Sequence, residues 1–190
     1  FDYHEYVAFS VVRALYMCND DAPPLPVHKR YFNVARDKGS VKPVVPLMRT
    51  VHDRLAIEIR RGCVNGCRFC QAGMITRPVN ERPMEQIVEI AREGVRHTGY
   101  DEISLLSLSS ADYSLIRPLI EEMTMDLGPR GISVSLPSLR INAFDVKLVD
   151  EIAKVRKSGF TFAPEAGTTR LRDVINKPVD QYKFFEIIED

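Results

Sequence analysis

The sequence predicts an α/β chain whose larger part is a partial (β/α) barrel, and three observations carry that expectation. From Arg54 onward, short β-branched or apolar runs alternate with segments of helical periodicity. Repeated strand–helix units require right-handed crossovers, which build a parallel sheet covered by helices. No glycine-rich dinucleotide fingerprint follows the first of these strands, so a barrel fits better than a doubly wound sheet. The chain holds about four such units, so the expected barrel is truncated.

Taken in order, Tyr3 to Met17 place Tyr6, Phe9, Val12, Ala14 and Tyr16 at helical spacing, which predicts a helix ended by Asn19-Asp20-Asp21 and Pro23-Pro24. Ala22 to Arg49 are rich in proline and lack periodicity, as in an extended linker or strap. The expected division is therefore residues 1–50 as helix plus strap, and residues 51–190 as the barrel part. Leu55-Ala56-Ile57-Glu58-Ile59 predicts the first strand, followed by a cysteine-bearing loop. Pro83 opens a helix with Ile87, Ile90, Ala91 and Val95 on one face. Glu102 to Leu108 predicts the second strand. Asp112 or Ser114 then caps a helix carrying Leu115, Leu119, Ile120, Met123 and Leu127. The turn Gly128-Pro129-Arg130-Gly131 leads to a third strand, Ile132 to Leu136, and a helix marked by Val146, Val149, Ile152 and Ala153. Gly159 to Ala163 predicts a fourth strand, with helical segments at Thr168 to Ile175 and Val179 to Asp190. In such barrels the chemistry lies at the C-terminal ends of the strands.

Composition narrows the function classes. The 190 residues balance 26 Lys and Arg against 26 Asp and Glu, which gives no electrostatic case for a polyanionic partner. Hydrophobic residues at 45% and charged residues at 27% exclude a disordered or fibrous chain. Asp2, His4 and Glu5 sit where a signal peptide has its basic region, and no apolar run approaches about 18 residues. A soluble, cytoplasmic chain with no membrane partner is expected, and its start at Phe1 reads as a piece of something longer.

Cys63, Cys67 and Cys70 crowd one segment while Cys18 stands far upstream, a placement that suits metal or redox chemistry better than a disulfide framework. The spacing is CxxxCxxC within Arg61-Gly62-Cys63-Val64-Asn65-Gly66-Cys67-Arg68-Phe69-Cys70-Gln71-Ala72-Gly73. Iron–sulfur cubanes take thiolates, and three of them leave the fourth iron open for another ligand. The competing reading is a set of structural cysteines or a zinc site completed by Cys18, His52 or His97, although zinc motifs normally pair CxxC with a second distant pair. Cys18 itself reads as a small buried hydrophobe, with an auxiliary ligand as the alternative. His52 reads as a capping or hydrogen-bonding residue.

At these residues the sequence resembles the radical SAM superfamily, whose motif CxxxCxΦC has an aromatic before the last cysteine, the place of Phe69. The resemblance runs from Val51 to Asp190. The stretches Val51-His52-Asp53-Arg54, Cys70-Gln71-Ala72-Gly73-Met74, Ser107-Leu108-Ser109-Ser110, Ser135 to Arg140 and Phe162 to Thr168 resemble an uncharacterised bacterial subgroup in which a cobalamin-binding-type domain precedes the radical SAM domain. The resemblance implies a partial barrel of the radical SAM type, truncated here. It also implies a [4Fe-4S] cluster on Cys63, Cys67 and Cys70, S-adenosylmethionine as cofactor, and an electron donor such as flavodoxin or ferredoxin.

The implied reaction is reductive cleavage of S-adenosylmethionine to start radical modification of an unknown substrate, with methyl or methylthio-type transfer if cobalamin is bound by an upstream domain. Ser109 and Ser110 fall where the family has a Gly-Gly-Glu-like turn around the methionine amino group, with the Glu replaced by Ala111-Asp112. Ser138 and Arg140, after the third strand, are candidates for ribose or carboxylate. Glu165 is a candidate for ribose, against a salt bridge to Arg170 or Arg172. Lys177 is a candidate for the methionine carboxylate, against a solvated helix-end charge. The contrasting function class is a non-catalytic zinc-stabilised scaffold or RNA-associated module.

Overall fold

A computed structural model describes residues 2–6, 9–13, 29–48, 50–143, 146–156 and 159–189. They fall in two compact units, Phe1–Asn33 and Val34–Asp190. In the first unit, β1 (Asp2–Tyr6) pairs antiparallel with β2 (Phe9–Arg13), with Tyr3 opposite Val12 and Glu5 opposite Ser10. The helix expected over Tyr3 to Met17 is therefore not formed at these residues. Tyr3, Tyr6, Phe9, Val11 and Val12 are aromatic or β-branched and favour a pleated surface, and that preference outweighs their three-residue spacing. Cys18 lies outside the described residues.

The second unit begins with a single 3-10 turn at Val34–Arg36 and continues through β3 (Leu55–Glu58), β4 (Arg60–Arg61), α1 (Gln71–Ile75), β5 (Asn80–Glu81) and α2 (Met84–Thr98). Then come β6 (Glu102–Leu106), α3 (Ile116–Leu127), β7 (Ser133–Ser135), α4 (Val146–Ala153), α5 (Thr169–Val174) and α6 (Gln181–Glu189). The strands β3, β6 and β7 form a parallel sheet in that order, with Ile57 opposite Leu105 and Ile103 opposite Val134. This is a mixed α/β unit with a parallel sheet, as a partial β/α fold requires.

The core follows from the periodicities. Leu55, Ile57, Ile103, Leu105 and Val134 are buried from the sheet. Ile87, Ile90 and Ala91 of α2 and Leu119, Ile120, Met123 and Leu127 of α3 are buried with them. Gly94 lets α2 approach β3, since a Cβ there would lie 2.6 Å from Leu55 Cδ2. Gly99, in the left-handed region, ends α2 with its N–H on the Val95 carbonyl.

Part of the proline-rich strap belongs to this core. Val34 is fully buried, and its N–H donates to Asn80 Oδ1 at 2.8 Å. The buried Arg82 side chain donates to the carbonyls of Glu58 and Asp37, tying strap to sheet. Residues 159–163, expected as the fourth strand, form no strand. Pro164, which follows directly, brings no N–H to a ladder. Among the described residues no helix is long and apolar enough to cross a membrane.

Candidate functional site

Parallel pairing sends the segments after β3, β6 and β7 to the same edge of the sheet; the cysteines, Phe69, Ser109, Ser110, Ser138 and Arg140 lie on those segments, while Glu165 and Lys177 come later, after α4 and α5. The cysteine loop leaves β3 through the short β4, which pairs antiparallel with β5. Arg61 is fixed at its start by two hydrogen bonds to the Glu58 carboxylate, 2.8 and 2.6 Å, and these raise the guanidinium pKa above its usual value. Gly62 and Gly66 both have positive φ, and a Cβ on Gly62 would lie 2.8 Å from the Thr76 carbonyl oxygen. The loop turns back on itself through the Cys70 N–H, which donates to the Cys67 carbonyl at 3.0 Å, and Cys70 then caps α1.

The three cysteines of this loop are unpaired and half-buried. Nitrogen donors face two of the sulfurs: the Gly73 N–H at 3.3 Å from Cys70 Sγ, and Asn65 Nδ2 at 3.2 Å from Cys63 Sγ. Such donors suit a metal-bound thiolate, whose negative charge they partly offset. Gly73 also leaves room beside the sulfurs, since a Cβ there would come to 3.5 Å from Cys70 Sγ. Among the described residues no group of three or more His, Cys, Asp or Glu side chains is gathered tightly enough to hold a single metal ion. Three thiolates with nitrogen donors at two of the sulfurs are a donor set of the kind that cubane clusters take.

The other predicted residues lie at different depths. Ser109 and Ser110 are fully buried. The Ser110 hydroxyl donates to the Leu105 carbonyl at 2.9 Å, while Ser109 Oγ is buried without a hydrogen-bond partner. The Ser110 N–H donates to the Ser138 carbonyl at 2.8 Å, joining the segments after β6 and β7. Arg140 and Lys177 line one recess with Ala163 and Pro178.

Glu165 stands at φ 66°, where a non-glycine residue is strained, and accepts an ion pair from Lys177 Nζ at 2.8 Å. Lys177 also lies over the ring of Phe69, 5.9 Å from its centroid, and that ring is 55% exposed. Glu165 thus pairs with Lys177 in place of the Arg170 or Arg172 considered from sequence. The segment after α5 is further tied to the cysteine loop by Asn176, whose Nδ2 donates to the Asn65 and Gly66 carbonyls at 3.1 and 2.9 Å.

A sequence profile of the radical SAM superfamily matches residues 57–190, more than half of the chain. The chain belongs to that superfamily. Radical SAM proteins are enzymes that cleave S-adenosylmethionine, so membership implies a [4Fe-4S] cluster and S-adenosylmethionine. The radical SAM chain is also similar to the uncharacterized protein MJ0966 of Methanocaldococcus jannaschii, with 30% identity over 159 residues. That match covers 75% of this chain and 34% of the relative, so the chain spans about a third of that protein's length.

Sequence reasoning missed several residues around the cysteine loop of this radical SAM chain. Asp112, read as a helix cap, instead accepts from Asn65 Nδ2 at 3.0 Å, and α3 is entered at Leu115 with no side-chain cap. Ser114, the other capping candidate, donates its hydroxyl to Glu81. Arg60, 6% exposed, lies with Nη1 3.8 Å from Asp112 Oδ2 and Nε 3.2 Å from Glu81 Oε1. Asn176 carried one usable signal, since asparagine tolerates the left-handed region better than most residues, and here it has φ 54°. His52 does hydrogen-bond, its Nδ1 lying 3.0 Å from Arg54 Nη2. His97 Nε2 lies 3.6 Å from Glu93 Oε2.

Proposed function

We propose that this chain carries the cluster and S-adenosylmethionine site of a radical SAM enzyme that initiates radical modification of a substrate yet to be identified. Cys63, Cys67 and Cys70 are the cluster ligands in this reading, and the observation that carries it is their CxxxCxxC loop at the strand-end edge, with nitrogen donors aimed at two sulfurs. When bound, the cluster would supply one electron for reductive cleavage of the S-adenosylmethionine carbon–sulfur bond, with methionine leaving and a deoxyadenosyl radical formed.

The chain's own residues position and shield. Lys177 Nζ is the cation for the methionine carboxylate, released from or shared with Glu165. Arg140 and Ser138 offer contacts to carboxylate or ribose from the next segment. Ser109 and Ser110, whose side chains are buried and whose N–H groups are already bonded to Ser107 Oγ and the Ser138 carbonyl, offer their backbone carbonyls to the methionine amino group. Phe69 presents an exposed aromatic face between the last two cysteines. An electron donor of the flavodoxin or ferredoxin kind completes the partners, in a cytoplasmic setting.

Anaerobic reconstitution with iron and sulfide tests the reading. The expected protein is brown, absorbs near about 400 nm as iron–sulfur charge transfer does, and forms 5′-deoxyadenosine from S-adenosylmethionine on reduction. Cys63→Ala, Cys67→Ala and Cys70→Ala each abolish both signals. Stoichiometric zinc without cleavage would return the protein to the scaffold class. The finer reading, methyl or methylthio-type transfer in the subgroup with an upstream cobalamin-binding-type domain, is tested on the full-length protein. Cobalamin should copurify with it, and turnover without cobalamin removes that reading while leaving the first.

A further inference from the structure

We propose that Asn65, held in one orientation by Asp112, is a positioning residue that sets the reduction potential of a cluster bound at Cys63, an inference that rests on the cluster reading above. Asn65 Nδ2 lies 3.2 Å from Cys63 Sγ and 3.0 Å from Asp112 Oδ2. An amide nitrogen carries two hydrogens, and these two acceptors take one each. The oxygen and nitrogen of an asparagine side chain are nearly the same size, so shape alone does not choose between its two orientations. A carboxylate has only acceptors to offer, and it selects the orientation that turns the NH2 group towards it. That choice presents an N–H, and not a carbonyl oxygen, to the cysteine sulfur.

Asp112 is itself fixed. It closes the 3-10 turn Ser110–Asp112, its N–H donating to the Ser109 carbonyl at 3.2 Å. Arg60 Nη1 stands 3.8 Å from the same Oδ2, and the Arg60 side chain is 6% exposed, so its charge is little screened by water. Asn65 is held from its backbone side as well, where its carbonyl accepts from Asn176. Hydrogen bonds to the sulfurs are among the factors that set cluster potentials. Donation to a thiolate favours the more negative, reduced state, so losing the Asn65 donor makes the cluster harder to reduce.

Potentiometry of the reconstituted full-length protein, read by the EPR signal of the reduced cluster with iron and sulfide counted per chain, tests the inference. Asn65→Leu is expected to keep its iron and to lower the equilibrium constant for reduction about tenfold, which for one electron is about 59 mV more negative. Asp112→Asn removes a negative charge, which eases reduction, and also removes the selection of the amide, which opposes it. The double variant separates the two: the effect of Asp112→Asn should differ between the native and Asn65→Leu backgrounds, and equal effects would remove Asp112 from the device.

Equal potentials in the native protein and in iron-replete Asn65→Leu would overturn the inference and leave the cluster reading standing. A native protein that takes up no cluster overturns the cluster reading itself. If Asn65→Leu loses its iron, pulsed EPR on native protein labelled with 15N-asparagine decides: a nitrogen hyperfine coupling supports the donor, and its absence overturns it.

Discussion

Asn176 is a small lever on the whole cysteine loop, and its replacement should loosen that loop without unfolding the protein. Its side chain makes two hydrogen bonds to the loop, to the Asn65 and Gly66 carbonyls, and its backbone sits at φ 54°. Both bonds are solvent-exposed, so each is taken at about 0.5 kcal/mol, and together they are worth about 1 kcal/mol, or roughly fivefold in a local opening equilibrium. Asn176→Gly loses only these bonds, because glycine accepts the left-handed region freely.

Asn176→Ala loses them and adds a left-handed penalty of about 1 kcal/mol, so its loop should open roughly thirtyfold more often. The reporter is the Arg68 amide, which donates to the Ile175 carbonyl at 2.9 Å across the same junction. Hydrogen exchange of the metal-free protein should show Arg68 protection falling in the order native, Gly variant, Ala variant, while the core amides of β3 and β6 hold. Unchanged Arg68 protection in the Ala variant, or equal losses in both variants, would refute the reasoning.

Three further outcomes are expected. The Tyr113 hydroxyl donates to the Arg82 carbonyl at 2.8 Å, and burial, with Glu81 and Glu85 nearby, pushes its pKa up to about 12. The native state keeps a proton that the unfolded state releases from about pH 10, so this stability is intact below that pH and is lost as pH rises to about 12, roughly 3 kcal/mol in all. Urea melts at about pH 9 and about pH 11 should show the decline, and Tyr113→Phe should flatten it. Gly94→Ala gains about 1 kcal/mol of helix propensity but drives a Cβ into Leu55, where overpacking costs about 1–3 kcal/mol; a raised melting temperature would contradict that packing. Lys177→Met keeps the stem over Phe69 and removes the charge, and calorimetry on the reconstituted protein should show S-adenosylmethionine binding weakened about tenfold with iron content unchanged.

The parallel sheet and its helices were legible because each buried face repeats at its own period. Ile57, Ile103 and Val134 sit in compact apolar runs, while Ile87, Ile90 and Ala91 share a helical stripe. The loop after the first strand was legible because Gly62 and Gly66 interrupt the pattern, and both take positive φ. The amino-terminal hairpin was not, because Tyr3, Tyr6, Phe9 and Val12 satisfy a helical spacing while their shapes favour strands. Nor does any local pattern reveal that Asp112 reaches Asn65, 47 residues away, or that Lys177 pairs with Glu165 in preference to nearer arginines. Those pairings depend on how strand-end segments converge, which only the assembled sheet determines.

The clamp between Asn176 and the cysteine loop joins residues 110 positions apart. At elongation rates of about 5–20 residues per second, the cysteines of the loop leave the ribosome roughly 5–20 seconds before the residue that closes over them. In that interval the three thiols belong to an unclamped chain. Order of synthesis thus gives this loop an early, open life and a later, closed one.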